Sequence, residues 1–241
     1  MKLTKEQITY IDDYLKHHKV KYWDIRIELL DHIVTTVEEK LDKGVSFDDA
    51  MIEVHESFGN SMKMLWNSGI ECGIFANSDG YKRLVADKRI EINNKYRKLL
   101  NKEIINFLKS FNKVTILLML FVLEFLLSRN TTISTFKTIN VILFHITILV
   151  FISYSFRKYM MKRKSIHMQH SMSHAIILFL VLQITFQFIN PEGIFKVSEQ
   201  AQAIILIIVI PLNFVFTYCG FEVYRKAEKF YSQVYNQLQS L

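Results

Sequence analysis

Helix breakers and crosslinks are scarce in this chain: it has 2 prolines, 7 glycines and 2 cysteines in 241 residues. So few breakers leave long stretches free to be helical and offer little turn chemistry for a sheet-rich fold. Cys72 and Cys219 fall in different regions, both expected inside the cell or at its edge, so no disulfide is expected. The first thirty residues include Asp12, Asp13, Asp24 and Glu28 and lack the apolar core of a leader peptide. No lipidation motif stands at either end. There is no repeat, no Gly/Ser linker and no low-complexity run. Walker A, dinucleotide-binding glycine, GxSxG and HExxH patterns are all missing. These absences argue against the familiar nucleotide-binding and hydrolytic classes, so no enzyme and no cofactor is expected.

What is abundant is apolar length. Four stretches, 114–128, 139–156, 172–189 and 203–221, approach or reach the roughly 20 apolar residues that cross a bilayer. Basic residues gather at alternating ends of them. Lys102, Lys109 and Lys113 precede the first stretch; Arg157, Lys158, Lys162, Arg163 and Lys164 join the second to the third; Arg225, Lys226 and Lys229 follow the fourth. The other two connections hold only Arg129 and Lys137, then Lys196 against Glu192 and Glu199. Retained Lys and Arg mark the cytoplasmic side. The pattern predicts a multi-pass protein of the bacterial cytoplasmic membrane with both termini inside. Abundant Ile, Lys, Asn, Phe and Tyr beside scarce Gly and Pro suits an AT-rich bacterial genome.

Charge divides the remainder. Residues 1–80 carry 9 Lys/Arg against 15 Asp/Glu, and residues 81–113 carry 10 against 3. An acidic head is thus followed by a basic neck. The neck, with Lys109 and Lys113 at its end and the 157–164 cluster beyond, is read as contact with anionic lipid headgroups, worth about 1 kcal/mol per cation near the surface. Topology already accounts for these charges, so no nucleic-acid partner is expected.

The expected fold is all-α. A small cytoplasmic helical bundle (1–80) leads to a long juxtamembrane neck helix (81–113). A four-helix transmembrane bundle (114–221) and a C-terminal amphipathic helix (222–241) follow. In the head, Thr4 and Gln7 form a capping box, with Ile8, Ile11 and Leu15 on one face. A second helix carries a stripe of Ile27, Leu30, Val34, Val37 and Leu41 and stops at Gly44. Ser46 caps a third that faces Ala50, Val54 and Phe58 inward and ends at Gly59. Leu65 and Trp66 suggest a short fourth helix, and Gly69–Gly80 a loop. Leu84, Ile92, Leu99, Ile105 and Leu108 are the expected packed face of the neck, running straight or with a bend into the first span. Tyr224, Ala227, Tyr231, Val234 and Leu238 form the tail stripe, whose partner is the neck, the head, a second copy or lipid.

The run Glu28-Leu-Leu-Asp31-His32-Ile33, then Glu38, Gly44-Val-Ser46-Phe47-Asp-Asp-Ala50 and Phe58-Gly59 resembles the HAAS domain, a small bacterial helical module placed ahead of membrane spans. The likeness covers roughly residues 5–60. It departs after Gly59, where Asn60-Ser61-Met62 replaces the usual Asp/Pro segment. The resemblance implies a cytoplasmic helical domain on a multi-span protein. It also implies a role in signalling or envelope stress, since genes for such proteins often adjoin PadR-type regulators, and it brings no catalytic residues.

Among side chains with chemistry, Glu124 costs most, because a carboxylate in a membrane helix must be protonated, paired or wetted. It lies about 6 Å below the outer end of its span, and His145 about 10 Å below the outer end of the next. Asn140, Gln183 and Gln187 share that outer half. The five form a candidate intramembrane polar patch. Its functional reading is a proton-linked or ligand-sensing site with His145 as partner of Glu124; its structural reading is interhelical glue. His167, His170 and His174 share a helix face, but no cysteine or carboxylate completes a set and cations surround them, so no metal site is expected. They are read as a headgroup-facing helix start. Asp31 and His32 point to different faces, and with His55 are read as a surface acid and partly buried histidines. Pro211 beside Asn213 suggests a kink. The overall expectation is a regulatory or scaffold membrane protein with a cytoplasmic protein partner and a tendency to self-associate. The alternative is a small transporter or transporter accessory subunit working through the polar patch.

Overall fold

The computed structural model describes residues 2–60, 78–160, 165–176 and 196–239, and among them all regular structure is α-helical. The helices are α1 (Lys5–His17), α2 (Trp23–Asp42), α3 (Phe47–Ser57), α4 (Asp79–Lys109), α5 (Phe111–Asn130), α6 (Ile133–Met160), α7 (166–176) and α8 (Glu199–Gln239). Leu65, Trp66, Cys72, Gln183 and Gln187 lie outside the described residues. The last two residues of the expected loop, Asp79 and Gly80, already belong to α4. The chain divides into two compact units, Met1–Ile92 with Arg163–Ile166, and Asn93–Lys162 with His167–Leu241.

Local chemistry sets the helix ends of the first unit. Thr4 and Gln7 exchange side-chain and backbone bonds as a full capping box at α1. Ser46 Oγ accepts from the Asp49 amide at the start of α3. Gly44 and Gly59 take φ of +85° and +75° just past α2 and α3, a conformation that suits glycine. Lys19 closes α1 at φ +63° without that freedom.

The core of this unit comprises Ile11 and Leu15 of α1, Ile25, Leu29, Ile33 and Val37 of α2, and Ala50 and Val54 of α3. Of the expected α2 stripe only Val37 is buried; Ile27, Leu30, Val34 and Leu41 are half-exposed. The buried line steps by four from Ile25, so the helix is rotated about its axis from the expected face. Its flanks still cover part of the larger stripe.

A similar shift occurs in α4. Ile92 is buried as expected, but Leu99, Ile105 and Leu108 are exposed. The packed positions are Tyr81, Ile92, Tyr96, Leu100 and Phe107. The helix buries large aromatic bodies in preference to aliphatic ones, and its tyrosine hydroxyls find polar partners. At Ser110 the neck breaks from the following helix: α4 ends at Lys109 and α5 begins at Phe111. The route into the first apolar stretch is therefore bent.

In the second unit, α5 and α8 are each long and apolar enough to cross a membrane, and α6 carries a shorter apolar stretch at Ile133–Leu143. Only the first part of the expected third span falls among the described residues, as α7. The fourth span and the tail form one helix of 41 residues that continues through Pro211. At 1.5 Å per residue it is roughly 60 Å long. Both α5 and α6 pack on α8. A Cβ on Gly220 would stand 2.7 Å from Ala175 Cα, so α7 and α8 approach backbone to backbone at this pair.

Candidate functional site

Three polar groupings carry the chemistry of the described residues. The first lies in the second unit. On α5 the buried side chains are Leu117 and Glu124, two turns apart on one face. Glu124 keeps 2% of its exposure, and Asn140, buried on α6, keeps none. The Asn140 side chain lies within interaction range of the Glu124 carboxyl. Asn140 Nδ2 also donates to the Phe136 carbonyl at 3.1 Å. Glu124 Oε2 and Asn140 Oδ1 have no hydrogen-bond partner among the described residues. Among the described residues of the expected patch, Glu124 and Asn140 are the buried pair that stand near each other. His145 is half-buried, and its Nδ1 donates to the Val141 carbonyl of its own helix at 2.7 Å. Buried Gln202 at the start of α8 was missed by sequence reasoning, because it precedes the apolar stretch.

The second grouping is an aromatic relay in the first unit. Tyr14 Oη is 2.6 Å from His55 Nδ1 and 2.8 Å from Tyr81 Oη. The His18 ring packs 4.6 Å from Tyr14, 5.4 Å from His55 and 5.8 Å from Tyr81. Burial pushes the Tyr81 hydroxyl up to about 12 and raises Tyr14 further, helped there by Tyr81. Burial, then His55 and His17, lowers the His18 imidazole from its usual 6.5 to about 4. Desolvation penalises charge on Tyr14, Tyr81 and His18, so these three are neutral at physiological pH. His55 is fully buried, whereas Asp31 and His32 are exposed. His18 carried no sequence signal of its own beyond its place at the α1 terminus.

Asn60 completes this unit. Its Oδ1 accepts from the Gly80 amide at 2.9 Å and the Tyr81 amide at 3.4 Å, while its Nδ2 donates to the His55 carbonyl at 3.0 Å. The side chain thereby caps α4 and ties it to α3. A cap of this kind gives a physical reason for asparagine at this position.

The third grouping links α2 to the connection before α7. The Asp24 carboxylate accepts from Ser165 Oγ at 2.7 Å and from the Ile166 amide at 3.2 Å. Ser165 and Ile166 are buried. Asp24 supplies the anion that the first turn of α7 favours. Nothing in the spacing of residues 24 and 165 announces the contact.

No protein-family model, curated protein or solved structure matches the chain. The assignment of function therefore rests on geometry.

The remaining candidate residues are placed as follows. The His167 ring stacks on Tyr231 at 4.3 Å, and His174 Nδ1 donates to the His170 carbonyl at 2.9 Å. The described residues hold no metal-ligating cluster. The stacking turns the His167 ring towards the tail part of α8. The Lys113 ammonium lies 5.0 Å from the Tyr218 ring and 5.8 Å from that of Phe107, while Lys109 is exposed. Arg157 and Lys158 belong to the last turn of α6; Lys162, Arg163 and Lys164 lie outside the described residues. The tail stripe meets the neck and α7: Lys226 pairs with Glu103 of α4 at 2.5 Å, and Tyr224 packs with Met168 and Ala175.

Proposed function

We propose that this chain is a multi-pass protein of the bacterial cytoplasmic membrane that acts as a regulatory scaffold, its acidic head and helical tail binding a cytoplasmic protein partner. The observation that carries the reading is an inverted exposure pattern on α5. Leu118, Met119, Val122, Leu123, Phe125 and Leu126 are exposed while Glu124 is turned inward. Helices in water place charge outside and apolar groups inside. The opposite arrangement suits a hydrocarbon surround. Exposed Ile142, Ile146, Leu149 and Val150 on α6, with Ile204 and Ile208 on α8, extend the belt. The loop charge pattern supports a cytoplasmic location for both termini.

Within the first unit the Asp24 carboxylate binds Ser165 and Ile166, which lie between the second and third expected spans. Reporter fusions at both termini of the full chain test the topology, and in-cell crosslinking followed by pull-down tests the partner. A terminus on the far side, or no crosslinked cytoplasmic protein, would overturn the respective half. A second reading, a small transporter or accessory subunit, draws support from the burial of the Glu124–Asn140 pair.

A further inference from the structure

An ionised carboxylate buried with a neutral amide is a poor arrangement. It pays the desolvation of a charge and has no cation to offset it. Glu124 forms no ion pair among the described residues. The charged groups nearest along the chain are engaged or remote: Lys137, three residues before Asn140, pairs with Glu199 of α8 at 3.7 Å, and Arg129 lies at the exposed end of α5. His145 directs Nδ1 to its own helix. Gln202, the other buried polar group at this end of α8, is neutral.

The atoms left over identify what is missing. The Phe136 carbonyl only accepts, so the amide nitrogen of Asn140 is the atom turned to it. One Nδ2 hydrogen serves Phe136, and the other is free for Glu124. That leaves Glu124 Oε2 and Asn140 Oδ1, two buried acceptors with no donor among the described residues. Two acceptors cannot satisfy each other. A single proton between them satisfies both.

We propose that Glu124 and Asn140 form a proton-binding site joining α5 to α6. The carboxylic acid donates from Oε2 to Asn140 Oδ1 while Oε1 accepts from Nδ2, a two-bond acid–amide pair. Loading the proton neutralises the buried group and adds an interhelical bond; releasing it leaves a bare charge against α6 and weakens the contact. The site is built from protein burial, so it stands whether the chain anchors a partner or moves a solute, and its ligand is a proton rather than a metal cation.

Infrared spectroscopy of the full chain in lipid nanodiscs tests this. At neutral pH the wild type should show the carbonyl band of a protonated carboxyl that is missing from Glu124→Gln, whose amide can donate to Asn140 in the same way and so keeps the fold. Asn140→Leu should move that band to higher frequency, as loss of the bond to Oδ1 requires. The Asn140→Leu comparison reads the site even where Glu124→Gln does not fold. Absence of the band from the wild type, or its persistence in Glu124→Gln, would overturn the proposal. So would an unmoved band in Asn140→Leu. Loss of the band when sodium replaces choline at constant pH would also overturn it, by making the site one for a metal cation.

Discussion

Asp24 and Ser165 are 141 positions apart in sequence and 2.7 Å apart in space. Together with the bond from the Ile166 amide, the carboxylate fastens the start of α7 to the start of α2. Charge-assisted bonds of this kind contribute roughly 1.5–3 kcal/mol each. Asp24→Asn keeps the shape and removes the charge. Amide hydrogen exchange at Ile166 and through the first turn of α7 should speed up about tenfold or more in the full chain, an effect of about 1.4 kcal/mol. Unchanged exchange would show that the contact holds nothing.

Acid should loosen the head through His18. Its folded-state value, about 4, lies below its ordinary 6.5. The unfolded chain therefore takes up the proton first. Stability is full above the unfolded value and declines as pH falls from 6.5 towards 4, by at most about 3 kcal/mol. Hydrogen exchange of core amides in α1 and α3 across this window should accelerate in the wild type, and the slope should flatten in His18→Phe. Equal slopes in both would place the acid sensitivity elsewhere.

Two backbone positions of the head predict changes of opposite sign. Lys19 occupies a left-handed conformation that costs a non-glycine residue about 1 kcal/mol. Lys19→Gly should therefore raise the melting temperature of the head. At Gly80 an added Cβ would stand 2.0 Å from the Phe58 carbonyl oxygen and 2.9 Å from Asn60 Oδ1. Gly80→Ala must push α4 away from α3 and break the Asn60 cap, with a loss of several kcal/mol in thermal unfolding. A neutral Gly80→Ala would contradict the observed junction.

The α7–α8 contact gives a parallel test in the second unit. Gly220 lets its backbone approach Ala175. Gly220→Val should cost about 1–3 kcal/mol by overpacking and separate Tyr224 from Met168. Met168→Cys and Tyr224→Cys, combined in a chain freed of Cys72 and Cys219, should crosslink readily while Gly220 is kept. Adding Gly220→Val to the same chain should slow the crosslinking. Equal rates would contradict the close approach.

Sequence reasoning read the punctuation of the head well. Thr4, Gln7, Gly44, Ser46 and Gly59 act through bonds or dihedrals set within a few residues, so they are visible locally. Faces were read less well. The buried line of α2 runs from Ile25 to Val37, and α4 buries Tyr81 and Tyr96 while exposing Ile105 and Leu108. Hydrophobicity ranks an isoleucine above a tyrosine, but a tyrosine whose hydroxyl finds a partner buries more surface. The polar patch was half legible. The cost of a carboxylate in an apolar stretch singled out Glu124, whereas the choice of Asn140 over His145 as its partner depends on helix rotation. The contacts of Asp24 with Ser165 and of Asn60 with Gly80 join distant segments, and no local pattern carries them.

The central claim is that α5, α6 and α8 present their apolar belt to lipid. Alkaline extraction of membranes from cells producing the full chain tests it most directly. The account predicts that the chain stays with the membrane pellet after the alkaline wash. Release of the folded chain into the supernatant would contradict it.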